Sequence, residues 1–494
     1  MTRKQRHAPL EMSGEEFRRL GYQLVDRIAG FLDSLPSRPV TTGETPEEIR
    51  AHLGEGPLPD AGAPADALLT EATDLLFGHS LFNGHPRFMG YITSSAAPIG
   101  ALADLLAAAV NPNGGGWNLS PMASEIEAQT VRWLADLVGF PAESGLLVSG
   151  GNMANFIGFL AARRAGSPED PGAAGRQLVY ASRETHTWVQ KAADLFGVGS
   201  EAIRWVKTDE AQRLRTDLLD EMITADRKAG HLPLMVIGTA GTVATGAIDP
   251  LPEIASICKR HDIWFHVDGA YGALAAALPE APSDLKGLAA ADSLALDPHK
   301  WLYAPLEAGC TLVRKRQHLL DAFAYRPSYY NFDADVAEPP TNYYELGLQN
   351  SRGFRALKVW LGLRRAGRQG IIQMIRDDME MARYLAKLVQ EHEELAAHDQ
   401  HLSITTFRFE PAGLDLEPPA TEKYLNELNS EILNRLQAGG EAYISNAVIN
   451  DQYLLRACVV NFRTDREDME ALVEIVVRYG RELDAKMRPG SEGS

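Results

Sequence analysis

Cysteine is scarce in this chain of 494 residues, with three in all. Cys258, Cys310 and Cys458 lie far apart and are odd in number, which excludes a disulfide framework and offers no zinc-ligand spacing. They read as core thiols in a reducing compartment. Long apolar runs are missing as well: nowhere do about 18 uncharged apolar residues follow one another, so no membrane span is expected. Met1-Thr2-Arg3-Lys4-Gln5-Arg6 is basic but lacks the apolar stretch of an export signal behind it. Basic residues are in deficit, 48 Lys and Arg against 66 Asp and Glu, for a formal net charge of −18. That balance argues against nucleic acid or an anionic membrane as partner. The expectation is a cytoplasmic protein acting on a small molecule.

What is present suits a large enzyme. At 45% hydrophobic there is ample material for a core, and the chain divides into three regions. In the first, 1–84, Phe17, Leu20, Leu24, Val25, Ile28, Phe31 and Leu32 recur at helical spacing until Leu35-Pro36, and a Gly/Pro/Ala-rich stretch follows at 54–64. In the second, 85–352, helical patterns at 121–139, 152–165, 186–196, 211–229 and 251–261 alternate with apolar runs. Those runs lie at 177–181, 202–206, 234–240, 263–267, 293–296 and 310–313. Such alternation predicts an α/β fold with a mostly parallel sheet and a ligand at the carboxyl ends of its strands. The third, 353–494, reads as a small α+β domain. Helices are expected at 353–365, 371–398, 421–437 and from 466, with strands at 404–409, 442–449 and 453–460. No internal repeat is found.

Two apolar runs end in residues that can charge. Trp264-Phe265-His266-Val267-Asp268 ends in a carboxylate, and Leu294-Ala295-Leu296-Asp297-Pro298-His299-Lys300 ends in an amine. An amine and a carboxylate at one sheet edge are what pyridoxal phosphate requires. The lysine forms a Schiff base with the aldehyde, and the carboxylate keeps the pyridine nitrogen protonated. The phosphate needs backbone donors, and Leu146-Leu147-Val148-Ser149-Gly150-Gly151-Asn152 supplies a strand-like lead-in, two glycines and a helical pattern. Taken singly, Gly150-Gly151 can be an ordinary turn, His186 a helix-start histidine, Asp268 a polar strand end and Lys300 a surface lysine. Their order within one α/β body is what joins them.

With these motifs the chain resembles the group II pyridoxal-phosphate-dependent amino acid decarboxylases. The resemblance runs through His85-Pro86-Arg87-Phe88, Ser120-Pro121 followed by Glu125-Ile126-Glu127, Ser149-Gly150-Gly151, His266-Val267-Asp268-Gly269-Ala270-Tyr271 and Asp297-Pro298-His299-Lys300-Trp301. It implies the aspartate aminotransferase-like fold, fold type I of these enzymes. It also implies that Lys300 carries the cofactor, that Asp268 partners the ring nitrogen, and that His186 stacks on one ring face with Ala270 on the other. Gly151 and Asn152 fall where backbone amides hold phosphate, with His299 beside it, and Thr242 matches a cofactor-contacting threonine. No metal is implied. Asp297 is awkward there, since a carboxylate near a phosphate repels it.

Decarboxylation leaves a carbanion at Cα, which the family reprotonates with a loop tyrosine. In the 325–352 stretch Tyr329, Tyr330, Tyr343 and Tyr344 are available, and alignment through Phe354-Arg355-Ala356-Leu357-Lys358 puts Tyr343 at that position. Because 345–353 departs from the commoner pattern, a shift of one residue would promote Tyr344. Retention of both His186 and this tyrosine implies simple decarboxylation to an amine and CO₂. The oxidative branch that makes aldehydes and other enzymes on this fold are the alternatives. By comparison with aromatic decarboxylases, Tyr91, Ile92 and Trp117 are expected to line the substrate pocket, together with His186. An aromatic L-amino acid is favoured over an aliphatic or acidic one such as 2,4-diaminobutyrate or glutamate, for which Arg87 is the one cation nearby. The family also implies a homodimer interlocked through the N-terminal helices, with active sites at the interface.

Overall fold

The computed structural model describes residues 8–166, 177–325, 340–414 and 417–488. The apolar runs form β1 (Ser144–Val148), β2 (Gln177–Ser182), β3 (Ile203–Val206), β4 (Leu232–Thr239), β5 (Trp264–Asp268), β6 (Ser293–Leu296) and β7 (Gly309–Val313). Among the described residues these make a sheet of order β1-β7-β6-β5-β4-β2-β3. From β3 to β6 every neighbouring pair is parallel, while β7 runs antiparallel to both β6 and β1. Helices cover the sheet, and β2, β5, β6 and β7 are buried at every position. This is why those runs read as continuously apolar rather than alternating. The architecture is the mostly parallel, fold type I arrangement expected from the motifs.

The helices expected from 186 and 211 start later, because local turns compete for the backbone. The helix expected from 186 begins at Trp188, since Thr185 N–H closes a turn onto Ser182 C=O. The helix expected from 211 begins at Thr216, because Asp209 accepts from Arg213 N–H at 2.9 Å and Thr208 bridges Leu214. The helices expected at 353–365 and 371–398 are one element, Ala356–Glu391, bent at Gly367 where φ is 64°. It stops well short of 398. Leu395–His401 is strand β8, paired antiparallel with β9 (Ile404–Phe409), so tertiary pairing overrides the helical bias of Ala396 and Ala397. Strands β10 (Ser445–Ile449) and β11 (Gln452–Cys458) complete a second sheet of order β10-β11-β9-β8.

The two sheets have separate cores, and the bent helix serves both. Ile371 and Ile375 pack into the larger core, Leu385 and Val389 into the smaller. N-terminal to the large sheet lie the expected helix Gly14–Ser34 and three helices not foreseen, Pro46–Leu53, Ala65–Gly78 and Pro98–Val110. Gly14–Ser34 buries only Leu20 and leaves Phe17, Tyr22 and Val25 exposed.

His266 lies two residues before the end of β5 and ties the sheet to the helix Gly151–Gly166. Its ring nitrogens sit 2.7 Å from Ser293 Oγ and 2.7 Å from Asn155 Oδ1. Burial pushes the imidazole down to about 4, from an ordinary value of 6.5. Between those values the unfolded chain takes up a proton that the folded chain refuses. Stability from this group is therefore complete above pH 6.5 and is lost as pH falls towards 4, by at most about 1.4 kcal/mol per pH unit. Buried acids titrating in the same range act in the opposite sense, so a comparison isolates the group. His266→Gln is expected to flatten the acid side of a plot of urea midpoint against pH. Parallel plots for the two proteins would contradict this reading.

Candidate active site

The carboxyl ends of β4, β5 and β6 open onto a cavity of about 370 Å³, which also admits the 149–152 turn. Asp268 is the last residue of β5 and faces this cavity, while β6 ends at Leu296 and the turn at 297–300 carries Lys300 to the same space. Asp268 lies beside Ala295 in the parallel β5–β6 register, which is why strands read separately in the sequence deliver a carboxylate and an amine together. Two donors fix the carboxylate: Trp188 Nε1–H at 2.7 Å and Ala270 N–H at 3.2 Å.

Asp297 is buried, and its Oδ2 lies 3.2 Å from Lys300 Nζ and 3.7 Å from His299 Nε2. Its Oδ1 is buried with no hydrogen-bond partner among the described residues. The awkward carboxylate thus has the lysine as counter-ion. His299 and His186 are both held below the ordinary imidazole value, chiefly by burial. In each ring Nδ1 accepts a backbone N–H, from Ala308 at 3.1 Å and from Trp188 at 3.2 Å. With Nδ1 occupied, the neutral rings carry their proton on Nε2 and offer a donor there.

The 149–152 turn approaches the sheet closely. A Cβ on Gly309 of β7 would sit 2.5 Å from Gly150 Cα, and one on Gly151 would sit 2.8 Å from Asp297 Oδ2. Side chains at either position would push the turn off the cavity floor. Glu184, Trp188, Val243 and Leu306 also line the cavity, although sequence reading does not single them out. For Glu184 and Trp188 the signal was their position two residues either side of His186.

Other expected residues stand apart within one chain. Ile92 lines the cavity, but Tyr91 and Trp117 do not. Tyr91 is 54% exposed with its hydroxyl 3.3 Å from that of Tyr443, and Trp117 donates Nε1–H to Glu125 Oε1 at 3.0 Å. Thr242 is buried, its Oγ1 3.1 Å from Thr245 Oγ1, while Gly241 and Val243 on either side reach the cavity. Tyr343 is buried under the Arg352 guanidinium, 4.7 Å from its ring centroid, and Tyr344 is partly exposed. Tyr329 and Tyr330 lie outside the described residues. Arg87 is paired with Asp468 at 3.2 Å, away from the cavity lining.

Comparison with known proteins places this geometry. The pyridoxal-dependent decarboxylase conserved domain matches residues 46–410. The chain belongs to the pyridoxal-dependent decarboxylases. An aromatic-L-amino-acid decarboxylase of Bacillus atrophaeus is 34% identical over 93% of the chain and 94% of its own length. A phenylacetaldehyde synthase of a Rosa hybrid cultivar is 30% identical over 90% of each. Among solved structures, Oryza sativa TDC with PLP and tryptamine superposes with a TM-score of 0.89 at 27% identity, over 97% of the chain and 100% of that one.

The cofactor of a pyridoxal-dependent decarboxylase fits what is built here. The cavity pairs a lysine with a strand-end carboxylate, and its glycine turn cannot take a side chain without displacing Asp297. Two neutral imidazoles offer Nε2–H donors at its edge.

Proposed function

We propose that this decarboxylase converts an aromatic L-amino acid to its amine and CO₂, through residues of the cavity. When bound, the cofactor supplies the electron sink for the pair left behind by CO₂. Lys300 Nζ would hold it covalently, and Asp268, fixed by Trp188 and Ala270, would hold the ring nitrogen's proton. The backbone at Gly151 and Asn152 and the Nε2–H of His299 would cradle the phosphate, and Thr242 would hold the turn that presents Gly241 and Val243. His186 and Ala270 would bracket the ring, the imidazole orienting the substrate carboxylate for departure. Tyr343 would return a proton to Cα; burial raises its phenol well above the ordinary value, with Glu127 adding to the effect, so it stays protonated.

The observation that carries the substrate class is the charge of the cavity lining. Lys300 is its one cation among the described residues and is already paired with Asp297, while Glu184 adds negative charge. An acidic side chain finds no guanidinium there. Ile92, Val243 and Leu306 give an apolar wall suited to a ring. The names of the Bacillus atrophaeus and Oryza sativa relatives agree with that wall. Leu102, Leu105, Leu106 and Val110 on one helix, with Phe17, Tyr22 and Val25 on another, are exposed, which supports a homodimer. In it Tyr91 and Trp117 would complete the substrate pocket and Tyr343 would act across the interface. The buried free cysteines suit the cytoplasm.

Amine release should be measured from Trp, Tyr, dihydroxyphenylalanine, Phe, His, Glu, Asp and 2,4-diaminobutyrate. The aromatic set is expected to exceed the acidic and aliphatic members by at least about tenfold in kcat/KM. Preference for glutamate or diaminobutyrate would overturn the substrate class. Aldehyde with ammonia and peroxide in place of amine would overturn the reaction, and the Rosa relative's name makes that the outcome to exclude.

A further inference from the structure

The N-terminal segment holds a cluster of side chains that the active site does not use. Glu44 stands just before the helix Pro46–Leu53, His52 lies in the last turn of that helix, and His79 caps the C-terminus of Ala65–Gly78. Glu44 Oε1 is 2.8 Å from His52 Nε2, and Glu44 Oε2 is 2.9 Å from His79 Nδ1. The two imidazole centroids are 3.8 Å apart. One ligand atom from each residue falls within 4.8 Å of the others. We propose that Glu44, His52 and His79 form a binding site for a divalent transition metal, zinc by the character of its donors.

Two imidazoles and one carboxylate form a nitrogen-rich set that suits zinc and its first-row neighbours, whereas calcium and magnesium take oxygen ligands. Bonds of about 2.0–2.1 Å in a tetrahedron put ligand atoms about 3.3–3.4 Å apart. Opening the present N···O pairs by about half an ångström, with the two imidazoles swinging apart by about an ångström or more, would therefore admit the ion. The side chains of His52, His79 and Glu44 are 37%, 31% and 19% exposed, so solvent reaches the cluster and water can fill the remaining position. Thr42 Oγ1 donates to Glu44 Oε2 at 2.5 Å, an outer contact that orients the carboxylate as metal sites commonly require.

An independent feature points to the same clamp. The helix Pro46–Leu53 buries none of its residues, and 54–64 beyond it is exposed throughout. The Glu44 cluster is one point at which it is tied to its own chain. A metal would join three points separated by 8 and 27 residues, closing loops that are otherwise open. Arg50 lies within this helix, so trypsin cleavage after it reports whether the helix is held.

Zinc sulfate titrated into chelator-treated holoenzyme is expected to bind saturably, one ion per chain, and to slow cleavage after Arg50 by about tenfold or more. The double variant His52→Gln/His79→Gln should lose both effects while keeping its cofactor absorbance, which certifies the fold. Thr42→Val should weaken binding by about tenfold. His261→Gln, removing a surface histidine paired with Asp220, should leave binding intact. Absence of saturable zinc binding, binding that persists in the double variant, or cleavage indifferent to zinc would each overturn the proposal. A hydrogen-bonded His–Glu–His cluster without a metal role gives the last of these results.

Discussion

Replacement of Lys300 by alanine is expected to lower amine release by a factor on the order of 10⁴ or more, the scale on which nucleophile deletions act in covalent catalysts. The residue is 20% exposed in its side chain, sits at the cavity and is paired with Asp297, so its loss removes the anchoring amine without opening a core. The cofactor should still be retained non-covalently through the glycine turn, His299 and Asp268. Borohydride reduction and peptide mapping separate the two states. In the wild type the label should fall on the peptide containing Lys300, and in the variant it should fall nowhere. A label fixed on another lysine would remove the basis of the proposed function.

The same variant tests assembly. Tyr343 is buried outside its own chain's cavity lining, and the proposed proton return across a dimer interface can be tested by mixing subunits. Lys300→Ala and Tyr343→Phe, each nearly inactive alone, would form mixed dimers in which one site has Lys300 from one protomer and Tyr343 from its partner. After random exchange of subunits, activity should recover to about a quarter of wild type. No recovery, with exchange verified, would place the donor in the same chain or on another residue, and Tyr344→Phe would then be the variant to assay.

Asp268 and Lys300 were legible in sequence because parallel strands buried on both faces leave continuous apolar runs, and a charge at the end of such a run stands out. His186 was legible as the head of a helical pattern. Its neighbour Trp188 was not: an indole two residues on reads as core, and nothing in the sequence pairs it with a carboxylate 80 positions away. Asp297 looked repulsive because its counter-ion, Lys300, had been counted only as the cofactor's amine. Residues 395–398 read as helix because Ala396 and Ala397 favour one, and only pairing with β9 reveals a strand. Tyr91 and Trp117 were drawn from the resemblance, and neither lines the cavity of its own chain. Glu44, His52 and His79 are too widely spaced to form a recognisable ligand motif.

Arg352 was silent in sequence and Glu127 entered only as part of the motif Glu125-Ile126-Glu127, yet the second large effect is expected there. The pair is buried almost completely, with side chains 1% and 3% exposed. Arg352 donates to Glu127 Oε1 at 2.5 Å, to Glu127 Oε2 at 3.1 Å, to Leu147 C=O at 2.6 Å and to Gly114 C=O at 2.7 Å. Glu127 Oε1 in turn accepts Leu147 N–H at 2.8 Å. Arg352→Met would strand a carboxylate and two carbonyls away from water, at an expected cost of about 3–5 kcal/mol. Leu147 precedes Gly150 by three residues on the strand that feeds the phosphate turn, so slack there should also speed loss of cofactor on dialysis. Because a chain of this size unfolds through intermediates, the half-life of activity at a fixed elevated temperature is the suitable readout. Adding Glu127→Leu removes the stranded charge and should restore much of the lost half-life, as apolar replacement of buried ion pairs does elsewhere. A single variant within about 1 kcal/mol of wild type, or a double variant no better than the single, would mean that packing around 114, 127 and 147 holds the turn without the ion pair.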